Sequence, residues 1–330
     1  MNTINVYFFK YPVGYKLIPG DRHIARFLKG LFNIRPVNGA EKVFLNLCKG
    51  FDLLEIHYTK NPPFKDIKPN EPVVILGDEL YNSKKFLKGY NKPNPIIAGI
   101  ALMTHPSEWP GLLQEYPVVK YLQHCGWAND LFIPYYGKEV CRIWPAGVET
   151  DKWTPGDESE RKFDVLIYDK IRWDTDHVYA VMKAAVIEKI TAMGLTYHEV
   201  VYGRYNEKDY FKLVKQCRSM VYISPHETQG FALCQAMSAN VPVFAWDQGF
   251  CLDPARFSWN APVIKTTSVP FFDQTCGMTF KDKDDFLNKA DTFWQQVQKG
   301  KFNPRAYMVK NLSLKTSAQK MLDIIAEVYK

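Results

Sequence analysis

Short apolar runs alternate with longer polar or helix-forming stretches along most of this 330-residue chain. Short apolar runs without regular alternation are typical of strands buried on both faces of a parallel sheet. The runs lie at 4–9, 72–76, 96–102 and 117–122 in the first half, and at 163–168, 200–202, 220–224, 241–246, 261–265 and 277–280 in the second. Helices are expected between these strands, one of them at 176–193. Two series of such strands predict two α/β domains, and the length of the chain also favours two domains.

The segment 219–247 contains a complete strand–helix–strand unit. An apolar run precedes a loop with Glu227, and Gly230 opens a stretch rich in helix formers before the second run. Ligands of open α/β sheets bind outside the carboxyl ends of the strands, so Glu227 is expected to face a ligand. Gly230 lets a phosphate approach the free amides of the helix N-terminus, and Gln235 lies close to two helical turns after Glu227, where it can face the same cleft.

A polar stretch at 156–161 interrupts the pattern between the two series of strands. Such a stretch predicts a domain linker, so we expect a first domain at 1–157 and a second at 158–305. Apolar residues recur at helical spacing over 314–329. The remaining segment, 306–330, is therefore expected to contain an amphipathic helix.

The composition, with 46% hydrophobic and 23% charged residues, is that of a globular protein. No basic leader with a long apolar segment precedes the first strand, and no run approaches the roughly 20 apolar residues that cross a bilayer, so we expect neither a secretory signal nor a membrane span.

The seven cysteines are scattered without a Cys-x-x-Cys pair. This predicts neither a disulfide framework nor a zinc site, and a reducing cytoplasm fits best. The net charge of +7 is compatible with an anionic nucleotide, a membrane surface or nucleic acid, and does not choose among them.

The segment 226–243 resembles the nucleotide-sugar site of retaining GT-B glycosyltransferases, especially those of family 4. The signature of that family is a Glu, seven residues and a second Glu, with a small-residue turn and then Pro-Val. The run from His226 through Glu227 and Gly230 to Gln235 matches it in order and spacing, with Gln235 in place of the second Glu. In the family the first Glu contacts the transferred sugar and the second holds the ribose hydroxyls. Gln accepts a hydrogen bond without the strength of a carboxylate, which leaves donor affinity and nucleotide choice open.

Three further matches lie in the first half of the chain. The segment 140–155 resembles the Pro-Asn-Gly-Val-Asp strand and turn that ends the first domain of the family. Asn38 and Gly39 resemble the start of the family's first helix, where Gly backbone lies under the donor phosphates; a plain helix N-cap is the alternative. His105 stands where a family His reaches toward the transferred sugar, and a structural hydrogen-bonding role is its alternative.

The segment 169–172, Asp-Lys-Ile-Arg, occupies the place of the family's pyrophosphate-clamping cations. Lys170 aligns with the family Arg, and Arg172 is the candidate for its Lys at a shorter spacing. The resemblance implies Glu227, His105 and Lys170 as catalytic residues. It implies a donor-binding set of Gly39, Lys170, Arg172, Arg204, Glu227, Thr228, Gln229, Gly230, Phe231 and Gln235.

By this resemblance the chain is an α/β protein of GT-B fold, with two Rossmann-like domains facing across a cleft. Residues 1–157 would form the acceptor-side domain, 158–305 the nucleotide-sugar-binding domain, and 306–330 a helix packing back toward the first. The implied reaction moves a sugar, with retention, from a nucleoside diphosphate to a glycan, a lipid-linked or another hydroxyl acceptor, with no cofactor or obligatory metal. Peripheral contact with the inner membrane surface is compatible with this reaction. The Asp-x-Asp sequences at 174–176 and 282–284 are interpreted as helix caps rather than metal ligands.

Two alternatives stay open. The basic insertion at 16–35, with a short amphipathic helix at 23–32, would suit a phosphate backbone. Some viral GT-B enzymes glucosylate modified DNA bases, and such an enzyme would work in a host cytoplasm. Asn38, Asp169 and Gln235 depart from the family pattern, which would also fit a nucleotide-sugar-binding protein with impaired catalysis. The sequence names neither the sugar, the nucleotide, the acceptor nor the oligomeric state.

Overall fold

The computed structural model describes residues 2–10, 38–81 and 83–329 of the chain. These residues divide into two compact units, each containing its own parallel sheet. The basic insertion predicted at 16–35, with its helix at 23–32, lies outside the described residues.

The first unit is built on six parallel strands. They are β1 Ile4–Phe9, β2 Tyr58–Lys60, β3 Val73–Asp78, β4 Ile96–Ala101, β5 Val118–Gln123 and β6 Cys141–Ile143. Their order across the sheet is β2-β1-β3-β4-β5-β6. Every residue of β3 and β4 is buried, as expected for central strands whose two faces are both covered. The apolar runs predicted at 4–9, 72–76, 96–102 and 117–122 are thereby confirmed as strands.

Helices and turns connect the strands of the first unit. They are the helices Gly39–Leu53, Lys84–Leu87, Leu112–Glu115 and Gly126–Tyr136 and the 3₁₀ turns Phe64–Asp66 and Pro106–Glu108. Asn38 has extended backbone geometry, and its side-chain oxygen accepts a hydrogen bond from the Glu41 amide at 2.7 Å. Asn38 is therefore the N-cap of the first of these helices, as the alternative interpretation of the sequence predicted.

The second unit is built on five parallel strands. They are β7 Phe163–Asp169, β8 Tyr197–Val201, β9 Cys217–Ile223, β10 Val243–Trp246 and β11 Gly277–Phe280. Their order is β11-β10-β9-β7-β8, so the direction of strand addition changes between β7 and β9. Alternate residues of β7 point to opposite faces: Leu166 and Tyr168 belong to one buried cluster, and Val165 and Ile167 to another. Both faces of this sheet are therefore covered.

The second unit differs from the predicted pattern in one helix and one strand. Its helices are Thr175–Val178, Ala184–Ala192, Glu207–Gln216, Phe231–Ser238, Ala255–Ser258, Lys283–Gln298 and Pro304–Leu312, with a 3₁₀ turn at Glu158–Glu160. A π-helical turn, Tyr179–Lys183, interrupts the helix predicted at 176–193. The strand predicted at 261–265 is wrong, because Lys265 forms only an isolated bridge with Phe250.

Two predicted caps have different outcomes. The Asp282 side chain accepts a hydrogen bond from the Asp285 amide at 2.9 Å, which confirms it as a helix cap. Asp174 precedes the helix Thr175–Val178 with left-handed backbone and without a side-chain capping bond. Of the two Asp-x-Asp sequences, only the one at 282–284 therefore caps a helix through its side chain.

The boundary between the units lies before the polar stretch at 156–161. The second unit takes His124–Asp130 and Pro145–Ser317, and the first takes the described residues up to Gln123, Leu131–Trp144 and the residues from Ala318 onward. Val148 and Trp153 are buried in the core of the second unit, so apolar packing sets the division, not the polar stretch. The helix Leu314–Val328 begins in the second unit, and its residues from Ala318 onward belong to the first.

In the described part of the chain, no helix combines the length and apolar character needed to cross a bilayer.

Candidate functional site

The carboxyl ends of β7 and β9 lie side by side in the second sheet, where the strand order changes direction. Asp169 is paired with Ile223, so the chain leaves both strands from adjacent positions. Lys170 follows β7, and the loop 224–230 follows β9. Open α/β sheets bind ligands at such a switch point. This edge is the candidate functional site of the second unit.

Three donors hold the Glu227 carboxylate. Its Oε1 accepts hydrogen bonds from Lys170 Nζ at 2.5 Å, from the Tyr222 hydroxyl at 2.6 Å and from Ser224 Oγ at 3.0 Å. Burial and the charge of Glu227 raise the pKa of Tyr222 well above its ordinary value, so the phenol stays protonated and donates. Charge-assisted bonds of this kind are short and fix the orientation of a carboxylate.

Lys170 is held against Glu227 by its backbone and its side chain. Its amide donates to the Ile223 carbonyl at 2.8 Å, and its Nζ lies 4.7 Å from the centre of the Tyr202 ring. Only 16% of the Lys170 side chain and 7% of the Glu227 side chain are exposed. The structure thus brings two predicted site residues, 57 positions apart in the chain, into one largely buried ion pair.

Gly230 ends the Glu227 loop and starts the helix Phe231–Ser238. It has φ of +65°, a left-handed conformation that glycine adopts without strain. The Glu227 amide donates to the Thr267 carbonyl at 2.9 Å, which fixes the other end of the loop. Thr228, Gly230 and Phe231 are half-buried. The helix Phe231–Ser238 therefore begins only a few residues after Glu227, so its first amides follow closely on the Lys170–Glu227 ion pair in the chain.

The two glutamines of the predicted donor set differ in environment. Gln229 is bonded to the backbone of Ala146, accepting from its amide at 2.9 Å and donating to its carbonyl at 3.2 Å. Its side chain therefore ties the Glu227 loop to the segment after β6. Gln235 is 4% exposed, and its Nε2 has no hydrogen-bond partner among the described residues. Buried amides are normally paired, so Gln235 keeps an unpaired donor, and its role toward the ribose of a nucleotide sugar stays a prediction.

Arg172 and Arg204 are exposed beside the same sheet edge. The Arg172 guanidinium lies 4.7 Å from the centre of the Trp173 ring. Arg204 lies in the turn after β8, where its amide donates to the Val201 carbonyl at 3.0 Å. The Tyr202 amide in that turn donates to the Asp169 carbonyl at 2.8 Å. Both arginines therefore sit on loops that meet at the end of β7.

The two remaining predicted residues, Gly39 and His105, belong to the first unit. Gly39 is exposed at the start of its helix, and a Cβ there would meet no atom within 4 Å. His105 is buried, its Nδ1 lies 2.8 Å from Ser107 Oγ, and burial lowers its pKa. His105 thus makes the hydrogen bonds of its alternative, structural interpretation, and its role toward a sugar stays a prediction.

His226 belongs to this site, although neither a catalytic nor a donor-binding role was predicted for it from the sequence. Its ring stacks on Trp173 with centres 5.1 Å apart and meets Trp127 edge-on at 5.7 Å. Trp127 in turn donates from Nε1 to the Glu227 carbonyl at 2.8 Å. Burial lowers the pKa of His226, and its Nδ1 is buried without a partner among the described residues. Only its position beside Glu227 was visible in the sequence, because both tryptophans lie far away in the chain.

No protein-family model matches the sequence, and no curated protein matches it. Among solved structures, AviGT4, a glycosyltransferase involved in avilamycin A biosynthesis, matches with a TM-score of 0.56 at 12% identity over 99% of this chain and 98% of that one. The apo form of the lipopolysaccharide outer core galactosyltransferase WaaB matches with a TM-score of 0.56 at 11% identity over 98% and 99% of the two chains. A variant of S. aureus TarM, in complex with Fondaparinux, alpha-GlcNAc-glycerol and UDP, matches with a TM-score of 0.54 at 12% identity. That match covers 86% of this chain and 58% of TarM.

At these identities the likeness is one of fold. The two parallel sheets and the full-length matches give this chain the GT-B fold of those glycosyltransferases. The predicted fold class, an α/β protein of GT-B fold with two Rossmann-like domains, is thereby confirmed.

Proposed function

We propose that this chain is a retaining glycosyltransferase that moves a sugar from a nucleoside diphosphate to a hydroxyl of a glycan or lipid-linked acceptor. The observation that carries the proposal is the Lys170–Glu227 pair at the switch point of the second sheet. A donor bound there would meet a cation and a carboxylate that already touch. The fold shared with AviGT4 and WaaB supports glycosyl transfer, and the Glu227 motif supports family 4 chemistry.

In this proposal the two charged groups have separate tasks. The Lys170 ammonium binds the diphosphate and stabilises the charge that develops on it as the glycosidic bond breaks. The Glu227 carboxylate accepts hydrogen bonds from the transferred sugar and balances positive charge at its anomeric carbon. Tyr222 and Ser224 keep that carboxylate in place when Lys170 turns toward the phosphate.

Retention follows a front-face path in this proposal. The leaving phosphate itself takes the proton of the acceptor hydroxyl, so Glu227 does not act as a nucleophile. Lys170, the exposed Arg172 and the first amides of the helix Phe231–Ser238 meet the phosphate charge. With these cations available, we propose that the reaction needs no metal ion.

The ligands and activities of the matched structures guide the choice of donor and acceptor. The TarM complex contains UDP, and WaaB is a lipopolysaccharide galactosyltransferase, so a uridine nucleotide and a surface-glycan precursor are the first pair to test.

All seven cysteines are free and buried, which supports a reducing compartment such as the cytoplasm. The DNA-modifying alternative depends on the insertion at 16–35, outside the described residues.

A donor panel tests the proposal. UDP-, GDP- and ADP-sugars are screened for a rise in melting temperature and for sugar transfer or hydrolysis, with and without EDTA. We expect one donor class to bind and react equally in both conditions. NMR of the product should give the same anomeric configuration as the donor. Inversion of that configuration would contradict retention, and loss of activity in EDTA would contradict metal independence.

Two variants connect the activity to the site. Lys170→Ala should weaken donor binding about tenfold or more through the lost charge-assisted bond. Glu227→Gln should lower turnover about 100-fold through lost transition-state stabilisation, while the nucleotide still binds. Lys189→Ala is the control, because it removes an ion pair with the exposed Asp291 in the same unit, away from the sheet edge. If the Glu227→Gln variant and wild type both bind the nucleotide and show the same residual turnover, that result would favour the non-catalytic alternative.

A further inference from the structure

Lys183 is a buried cation on the element that interrupts a predicted helix. It is the last residue of the π-helical turn Tyr179–Lys183, and only 5% of its side chain is exposed. A lysine is rarely buried to this extent unless it is paired, and π-helical turns occur often at functional sites. The sequence shows Lys183 only as one of many lysines on a helix.

Two carboxylates hold the Lys183 ammonium. Nζ donates to Asp169 Oδ2 at 2.6 Å and to Glu199 Oε1 at 2.7 Å. Burial on its own would lower the pKa of Lys183, but the hydrogen bonds and charges of Asp169 and Glu199 outweigh it and leave the pKa raised. Lys183 is therefore a cation throughout the physiological pH range.

Asp169 links this cation to the candidate site. Its Oδ1 accepts a hydrogen bond from the Ile171 amide at 3.0 Å, and its carbonyl accepts one from the Tyr202 amide at 2.8 Å. The first bond shapes the loop that carries Lys170 and Arg172. The second fixes the turn that carries Arg204.

The charged groups at this edge are three carboxylates, Asp169, Glu199 and Glu227, and four cations, Lys170, Arg172, Lys183 and Arg204. Removal of Lys183 would take one positive charge from this group, and the buried Asp169 carboxylate would lose its partner. A smaller positive charge weakens attraction of a diphosphate, and an unpaired buried carboxylate disfavours its own loop conformation.

We infer that Lys183 is the positioning residue of a diphosphate-binding loop at 169–172: it neutralises Asp169 and fixes it, so that Lys170 and Arg172 are held ready for the phosphates. The inference rests on the proposed function for the identity of the ligand. The ordering of the loop 169–172 by Lys183 does not depend on which ligand binds there.

The experiment compares Lys183→Met with three other variants in the full-length protein. UDP, GDP, ADP and inorganic pyrophosphate serve as probes in calorimetry, and hydrogen exchange reports the Ile171 amide. Lys183→Met should weaken binding of the diphosphate about tenfold or more, as one uncompensated nearby charge requires, and should speed exchange of that amide. The double variant Asp169→Asn with Lys183→Met removes both charges and keeps an acceptor for the Ile171 amide, so we expect affinity within about threefold of wild type.

The control variants separate positioning from stability. Glu199→Gln removes the charge-assisted part of one bond to Lys183 but leaves the Asp169 bond, so it should lower the melting temperature without weakening affinity for the diphosphate. Lys189→Gln removes an exposed ion pair of the same unit and should change neither.

The outcomes are distinct. If Lys183→Met only lowers the melting temperature, with unchanged affinity and an unchanged Ile171 amide, Lys183 is a structural residue and the inference is overturned. If Lys183→Met does not fold, failure of the double variant to bind near wild-type affinity overturns it as well. If wild type binds none of the probes, the proposed function fails, and the exchange of the Ile171 amide alone decides whether Lys183 orders the loop.

Discussion

Gln229 shows that a side chain next to a site residue can belong to the scaffold. Both ends of its amide are bonded to the backbone of Ala146, which is fully buried. Its neighbour Glu227 presents its carboxylate to Lys170 instead. The motif at 226–235 therefore mixes residues that can face a ligand with one that holds the loop.

Replacing Gln229 tests this distinction. Gln229→Ala leaves the amide and carbonyl of Ala146 without their partner, which should cost about 2 kcal/mol of unfolding free energy. Urea unfolding measures that loss, and the neighbouring, half-buried Thr228→Ala serves as the control with a small effect. A Gln229→Ala protein of wild-type stability that no longer binds the nucleotide sugar would instead make Gln229 a donor contact, as the family resemblance implies.

The sequence could not predict the environment of residues whose partners are distant in the chain. Glu227 was identified from its position after an apolar run and before Gly230, both of which are local signals. His226 and Lys183 owe their environment to Trp127, Trp173, Asp169 and Glu199, which come together only through the order of the strands. Hydrophobic periodicity gives no information about such polar and aromatic contacts.

At the scale of secondary-structure elements, the Glu227 loop is set by how its helix begins. Gly230 has φ of +65°, and a Cβ there would lie 3.4 Å from Glu227 Cγ and 3.6 Å from Leu233 Cβ. An L-residue at this position would carry backbone strain, and its Cβ would be in contact with the Glu227 side chain, so a backbone shift that relieves the strain would reach Glu227. The helix start and the orientation of the carboxylate are therefore coupled.

Gly300 provides a matched control for that coupling. It has φ of +62° after the helix Lys283–Gln298, and a Cβ there would meet no atom within 4 Å. Gly230→Ala and Gly300→Ala should each lose about 1 kcal/mol of unfolding free energy from left-handed strain. Only Gly230→Ala should also lower sugar transfer or donor binding. Equal activity in the two variants would mean that Glu227 tolerates a shift of its loop.

The elements predicted well are those whose apolar pattern is long and buried. The runs at 72–76 and 96–102 became β3 and β4 because both faces of these strands are covered. The run at 261–265 did not become a strand, since Phe250 gives it a single bridge. The π-helical turn Tyr179–Lys183 was missed because apolar spacing cannot reveal one extra residue in a helical turn.

At the scale of the whole molecule, each sheet has its own core, and the chain passes between the units more than once. The first unit takes Leu131–Trp144 and the residues from Ala318 onward, in addition to its N-terminal strands. The polar stretch at 156–161 suggested a single linker, but composition reports solvent exposure and not which core a segment packs into. Burial of Val148 and Trp153 decides the boundary instead.

The end of the chain is part of the first unit. Ile325 is 3% exposed, and the Tyr329 hydroxyl accepts a hydrogen bond from the Val73 amide at 3.2 Å and donates to the Pro95 carbonyl. Glu327 is about half exposed, and its carboxylate lies 3.3 Å from Lys120 Nζ. Residues separated by more than 200 positions thus stabilise one sheet.

Ile325→Ala measures how far that stabilisation extends. The cavity should cost about 3 kcal/mol of unfolding free energy, whereas Glu327→Ala, which removes a half-exposed ion pair, should cost less than about 1 kcal/mol. Hydrogen exchange should show lost protection in β3 and β4 of the first unit, while β7 and β9 of the second unit keep theirs, because each sheet is covered by its own apolar clusters. Equal loss of protection in all four strands would mean that the two units unfold as one cooperative body, and the division into two units would then have no thermodynamic counterpart.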